Sequence, residues 1–221
     1  METNQADTVL PPTAAPQLKR FLNAGSGPYS IRKSHSFFPA DEWEEVRLDI
    51  DPATKPDIVG SITDLKASVA LASFEALWCS HMLEHLYAHD VPLALAEIHG
   101  VLKPDGFALI TSPDVETVAS MIVEHGLDHI AYQSAVGPIT PHDILFGHSA
   151  SIARGNNFMS HKTGFTSARL GELLVDAGFT TVLVKRTPFD LWALALREGA
   201  DQEAVQRRVL AAGLDLSERP G

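Results

Sequence analysis

Short apolar runs separated by turn residues set the rhythm of this chain. Leu18–Asn23 and Glu45–Ile50 read as strands, and Asp57-Ile58-Val59-Gly60 as a third, very short one. Phe74–Ser80 alternates poorly, is mainly apolar and is bounded by polar residues, the pattern of a strand buried on both faces. Met82–His89 reads as a short helical turn. Asp90 then caps a helix whose inner face carries Leu93, Ala96, Val101 and Leu102. Lys103-Pro104-Asp105-Gly106 stops that helix, and Phe107–Ser112 forms a strand ending at Pro113-Asp114. Strand and helix alternate to this point, which predicts a parallel, doubly wound sheet.

Residues 115–164 break the alternation. They open with a helix, Val115–Glu124, and continue as a loop-rich stretch that includes Tyr132, Pro138, Pro141, His142, His148, Asn156, Asn157 and His161. A long irregular segment inside a compact domain is commonly a lid, a binding loop or simply disorder, and this one leaves from a strand end. Regularity returns with a helix over Ser167–Ala177, stopped at Gly178. Strands Thr180–Arg186 and Asp190–Leu196 follow, joined tightly enough to pair antiparallel. Residues 201–212 give a last amphipathic helix, stopped at Gly213. The organisation expected is a disordered tail over 1–17, a domain over 18–198 with 115–164 as an inserted cap, and a terminal helix and tail over 199–221. The fold class is α/β: a Rossmann-like, three-layer doubly wound sheet, mostly parallel with an antiparallel C-terminal strand.

Composition narrows this picture. At 221 residues and 45% hydrophobic, the chain can bury one sizeable core. Seventeen basic against 28 acidic residues give a net charge of −11, which disfavours nucleic acid and anionic membrane. No apolar run approaches the roughly 20 residues that span a bilayer. Met1–Pro16 lacks the basic start and apolar run of a signal peptide, and Cys79 has no second cysteine to pair with, so a reducing cytoplasm is expected.

Chemistry first shows in Leu22-Asn23-Ala24-Gly25-Ser26-Gly27-Pro28. A glycine turn at a strand tip lets backbone approach a ligand that a Cβ would hold away. Asp49 stands at the end of the second strand, at the distance from Gly27 that suits an acid accepting both hydroxyls of a ribose. Together they point to a nucleoside-bearing cofactor. Ser30 occupies the place of the third glycine of the dinucleotide fingerprint. A nicotinamide-dependent oxidoreductase is the rival reading, since turn and acid serve both kinds of cofactor.

Trp78-Cys79-Ser80-His81-Met82-Leu83-Glu84-His85-Leu86, then Ala96-Glu97-Ile98 and Val101-Leu102-Lys103-Pro104-Asp105-Gly106-Phe107, give a strand, an "HxLEHL" turn, a helix and an "LKPxG" turn. This resembles class I S-adenosylmethionine-dependent methyltransferases, specifically the small bacterial methyltransferase-domain group. The resemblance implies S-adenosyl-L-methionine as cofactor. It places Asn23, Gly25, Ser26 and Gly27 along the methionine part, Asp49 on the ribose, and Ile50, Ser61 and Ile62 around the adenine. Ser80 and His81 would face the reacting methyl. Asn23 stands where an acid is common, and Ser61 where an aspartate often lies near the adenine amine. The activity implied is in-line methyl transfer, and His81, His148 and His161 are the candidate bases where the nucleophile carries a proton. No Asn/Asp-Pro-Pro-Tyr/Phe follows the fourth strand; with the acidic charge, this favours a small-molecule substrate over nucleic acid. A non-methylating enzyme or a non-catalytic binder on the same scaffold is the other alternative. An oligomer contact, making a homodimer, is the other use for 115–164.

His81-Met82-Leu83-Glu84-His85 also spells H-x-x-E-H, the inverted zinc-peptidase motif. That chemistry needs both histidines on one face of a continuous helix. A strand ending at Ser80 puts His81 on a turn instead, so no metal is assigned here. Glu84 and His85 are expected to hydrogen-bond the surrounding loop.

Overall fold

The computed structural model describes residues 17–29, 34 and 36–216. The expected tail, apart from Gln17, lies outside these, as do Ser30 and the last residues from 217. Seven strands build one sheet: β1 Lys19–Ala24, β2 Trp43–Asp49, β3 Ile58–Val59, β4 Phe74–Ser80, β5 Leu102–Pro113, β8 Thr181–Arg186 and β9 Asp190–Leu196. A separate hairpin pairs β6 Tyr132–Ser134 with β7 Gly137–Ile139. Helices are α1 Val91–Val101, α2 Val115–His125, α3 Pro141–Phe146, α4 Ser149–Ala153, α5 Ser167–Asp176 and α6 Gln202–Ala211.

The sheet order is β3-β2-β1-β4-β5-β9-β8. Strands β3 to β5 pair in parallel, whereas β9 runs antiparallel between β5 and β8. The doubly wound, mostly parallel sheet with an antiparallel C-terminal strand is therefore present. The order reverses at β1/β4, and in open α/β sheets ligands bind outside the carboxyl ends of the strands at such a point. β4 lies mid-sheet, with Ala76 to Cys79 all buried, as its uninterrupted apolar run requires. The edge strand β8 is half-buried and ends in Lys185-Arg186, charges that discourage edge-to-edge pairing.

One face of the sheet is covered by α1, α5 and a 3-10 segment over Ile62–Ala67, around Leu22, Leu77, Leu95, Ile98 and Leu170. Each such buried leucine or isoleucine contributes roughly 1.5–3 kcal/mol of transfer free energy. The other face is aromatic. Phe21 stacks on Phe38 at 4.2 Å, Trp78 lies beside Phe37 at 5.6 Å, and α6 seals the layer with Val205 and Val209. The last helix thus packs into the core.

Three local expectations are corrected. The inner face of α1 is Val91, Ala94, Leu95, Ile98 and Val101, whereas Leu93 and Ala96 face outward. Asp90 precedes α1 in a helical conformation and makes no side-chain cap bond. The turn after β4 is a single 3-10 turn, Leu83–His85, so His81 and His85 do not share a helix face and the peptidase geometry is absent.

What matters for the site is where strands end. Register aligns Ala24 with Leu48 and Cys79, and Ser80 with Thr111, so Gly25, Asp49 and His81 emerge on one edge. Because β9 is antiparallel, its first residue arrives there too: Asp190 pairs with Pro113. Segment 115–164 starts and ends at this edge. Asp114 bridges Phe165 and caps α2, and its buried carboxylate accepts from Arg186 Nε at 2.7 Å. Burial raises the Asp114 pKa, but Arg186, Thr117 and the Glu116 amide outweigh it and hold it below the usual range.

Candidate functional site

The first half of the site is the glycine turn. Gly25 and Gly27 have φ of +69° and +61°, left-handed values that side chains rarely adopt. A Cβ on Gly25 would meet Met82 Cγ at 2.3 Å, while one on Gly27 would meet nothing within 4 Å. So Gly25 is needed for packing, and Gly27 borders open space. Asp49, only 9% exposed, ties the turn to β2: Oδ2 accepts from the Gly27 amide at 2.7 Å and Oδ1 from Asp51 at 2.9 Å. Buried Arg47 donates to Lys55 O at 2.9 Å and also reaches Gly27 O, stitching two turns together. Each carboxylate oxygen of Asp49 keeps a further lone pair for an incoming hydroxyl.

Around this turn, Ile50 is 56% exposed beside Asp49, a free apolar surface at the rim. Ser61 caps the following 3-10 segment and pairs with Thr63 Oγ1 at 2.8 Å. Ile62 is buried in the core beneath this turn. Ser26 is buried, its amide on Leu48 O. Asn23 donates to Glu45 Oε1 at 2.6 Å, so an acid from the neighbouring strand faces the position where the family often has its own.

The second half lies at the end of β4. Ser80 accepts from Thr111 at 3.1 Å, and His81 follows with φ +50°, an uncommon conformation for a side-chain-bearing residue. Its Nδ1 lies 3.3 Å from Glu84 Oε1 and its Nε2 lies 3.6 Å from Asp190 Oδ1. Burial works against the charged ring, but the two carboxylates outweigh it and raise the His81 pKa to about 10. The two carboxylates thus favour the protonated ring while both are in place. Asp190 was not anticipated from the sequence. The signal was the antiparallel turn itself, which returns the start of β9 to the ligand-binding edge.

The segment after β5 supplies the rest. Tyr132 lies 5.1 Å from Phe189, and its phenol pKa is raised by burial, then by Asp190 and Asp143. His161 Nδ1 bonds Ile144 O at 2.9 Å and its ring meets His85 at 4.8 Å. Burial lowers the His161 pKa despite the nearby Glu84 charge, which keeps the ring neutral. His148 instead partners Ser151 Oγ at 2.7 Å within its own helix. The structure thus gathers His81 and His161 near Glu84, while His148 takes a local partner. A surface groove of about 690 Å³, lined by Lys19, Glu42, Trp43 and Phe107, lies at the opposite end of β1 and β2.

A parallel sheet with a glycine turn, an acid on the adjacent strand and an exposed apolar rim defines a nucleoside-cofactor α/β enzyme. Residues 38–110 match the family described as "Methyltransferase domain". Among solved structures, the chain is similar to the Burkholderia thailandensis 1,6-didemethyltoxoflavin-N1-methyltransferase, crystallised with 1,6-didemethyltoxoflavin and S-adenosylhomocysteine. Identity is 18% and the TM-score 0.51, over 82% of this chain and 72% of that one. It is also similar to a SAM-dependent methyltransferase from Archaeoglobus fulgidus (15%, TM-score 0.55, 81% and 86% covered). The trans-methyltransferase CalH in complex with SAH is a third (14%, TM-score 0.53, 81% and 51% covered). A search of the curated proteins finds no match. The likenesses show the fold, that of S-adenosylmethionine-dependent methyltransferases, and the domain match covers about a third of the chain.

Proposed function

We propose that the protein transfers the methyl group of S-adenosylmethionine in line to a small molecule bound under residues 127–163. The observation that carries this is the 2.7 Å bond from the Gly27 amide to Asp49, which sets the glycine turn and the acid facing one crevice. The residues present fit the cofactor: Gly27 leaves open space, Asp49 has lone pairs for the ribose hydroxyls, and Ile50 offers an apolar surface for the adenine. When bound, S-adenosylmethionine supplies an electrophilic sulfonium methyl, with S-adenosylhomocysteine as product.

The chain's own part is alignment and exclusion of water. Ser80 and His81 border the place where the methyl would lie. His81 borders the site with its two ring nitrogens turned to Glu84 and Asp190, and a nucleophile that is already anionic needs no base. Tyr132 and Phe189 wall the crevice on the side of the insertion. The 1,6-didemethyltoxoflavin bound to the Burkholderia thailandensis protein, together with the net charge of −11, supports a small-molecule substrate over nucleic acid.

Calorimetry with S-adenosylhomocysteine, NAD and NADP on the purified chain tests the cofactor reading. Heat is expected with S-adenosylhomocysteine alone. Binding of a nicotinamide cofactor without S-adenosylhomocysteine would return the chain to the oxidoreductase alternative.

A further inference from the structure

We propose that Glu84, His85 and His161 form a binding site for a divalent transition-metal ion of the zinc class, one that fastens the end of the inserted segment to the turn after β4. Each of the three offers one ligand atom, and these atoms lie within 4.8 Å of one another. Glu84 and His85 come from the 3-10 turn Leu83–His85. His161 comes from the returning chain, which docks on that turn through Lys162 N to Glu84 O at 2.8 Å and Thr163 N to Glu84 O at 3.2 Å.

Independent evidence for a ligand is the Glu84 carboxyl. It is 1% exposed, and neither oxygen accepts a hydrogen bond within the described structure. The nearest cation is His81 Nδ1, at 3.3 Å from one oxygen. A buried carboxylate with so little solvation is costly unless paired or bound to metal. The histidines are prepared in the complementary way. His85 Nδ1 faces Ser160 O at 3.1 Å and His161 Nδ1 faces Ile144 O at 2.9 Å. A carbonyl can only accept, so both Nδ1 atoms carry a proton, and in the neutral ring that leaves Nε2 as the atom with a lone pair for a metal. Histidines that bind metals are oriented in this manner, donating the other ring N–H to a backbone carbonyl or carboxylate.

Two imidazoles and one carboxylate suit zinc and its neighbours, whereas calcium and magnesium favour all-oxygen sites. Tetrahedral ligands at about 2.0–2.1 Å from zinc sit about 3.4 Å apart, so atoms up to 4.8 Å apart must draw in by up to about 1.4 Å. Water completes the shell. Glu84 then turns from His81 to the ion, and His81 keeps Asp190. In this site Glu84 is a ligand, where the inverted-peptidase pattern would make it a base. The proposal does not rest on the methyl-transfer reading.

The test uses the full chain stripped with a chelator and titrated with Zn²⁺ by calorimetry, with Co²⁺ as a visible spectroscopic probe. One equivalent is expected to bind, with Co²⁺ d–d bands and a rise in melting temperature. Glu84→Gln and His161→Gln should each weaken Zn²⁺ by about 100-fold or more, at least what losing an outer partner of a ligand costs. His89→Gln, at an exposed position, should leave it unchanged. Glu84→Gln removes a buried charge without changing shape, and S-adenosylhomocysteine titration of each variant reports folding separately. Absence of stoichiometric Zn²⁺ in the wild type overturns the site, as does binding that survives both substitutions.

Discussion

Asp49 has a structural as well as a ligand-facing role, and its substitution separates them. The carboxylate accepts the Gly27 and Asp51 amides, so Asp49→Ala leaves two donors to find other partners. Each unsatisfied group costs about 1–3 kcal/mol where it stays buried, and the melting temperature of the free protein should fall. The sequence alone predicts no such fall, because it shows the acid and not its amide partners. Asp49→Asn keeps one acceptor oxygen and should recover part of that stability. Its NH2 cannot accept from a ribose hydroxyl, so S-adenosylhomocysteine should still bind about tenfold or more weaker, each charge-assisted bond being worth roughly 1.5–3 kcal/mol. Equal dissociation constants for wild type and Asp49→Asn would show that the acid serves the turn only. Gly25, Gly27 and Asp49 were legible because the constraint is local to two strand ends. The Glu84 cluster was not, since His85 meets the chain at Ser160, 75 positions away, and no spacing rule reaches across an irregular segment.

At the scale of elements, strands were easier to read than helix faces. β4 was bounded correctly because burial on both sides favours a run such as Ala76–Cys79, apolar at successive positions. The inner face of α1 was misjudged because Val91–Val101 is apolar nearly all round, leaving periodicity little to mark. In the inserted segment, the short helix α3 is held by a capping box between Thr140 and Asp143, and Ser149 N donates to Asp143 Oδ1 at 2.9 Å. Burial raises the Asp143 pKa, but bonds from Ser149 and Thr140 outweigh it and lower it from 3.8 to about 2. A depressed folded pKa gives stability that is complete above the unfolded value and lost as pH falls through the folded one. The stability difference between wild type and Asp143→Asn should therefore be constant above about pH 5 and shrink between about pH 4 and 2. Thermal melts of both proteins across that range check it. A difference that does not change with pH would mean that the carboxylate charge contributes nothing to the cap.

On the scale of the whole molecule, the alternation of strands and helices was enough to specify the sheet, and the sheet decides where the inserted segment can act. Both roots of 115–164 lie at the carboxyl edge: Asp114 bridges Phe165, and its amide donates to Phe189 O at 2.9 Å. Tyr132 leans on Phe189, one residue before the Asp190 that faces His81. Between the roots, the core of the segment is small, with Val118, Ile139 and Ile144 as its buried centre. Few buried apolar contacts mean a low free energy of local opening, the property of lids. Such a segment should open readily in the free protein and be held shut when the crevice is filled. Hydrogen exchange with and without S-adenosylhomocysteine reads this directly. Slower exchange in 127–162 on adding ligand, with β1, β4 and β5 unchanged, is the expected pattern. A segment equally protected in both states and exposed on dilution would instead be an interface between two copies of the chain. The substrate would then have to reach His81 from another side.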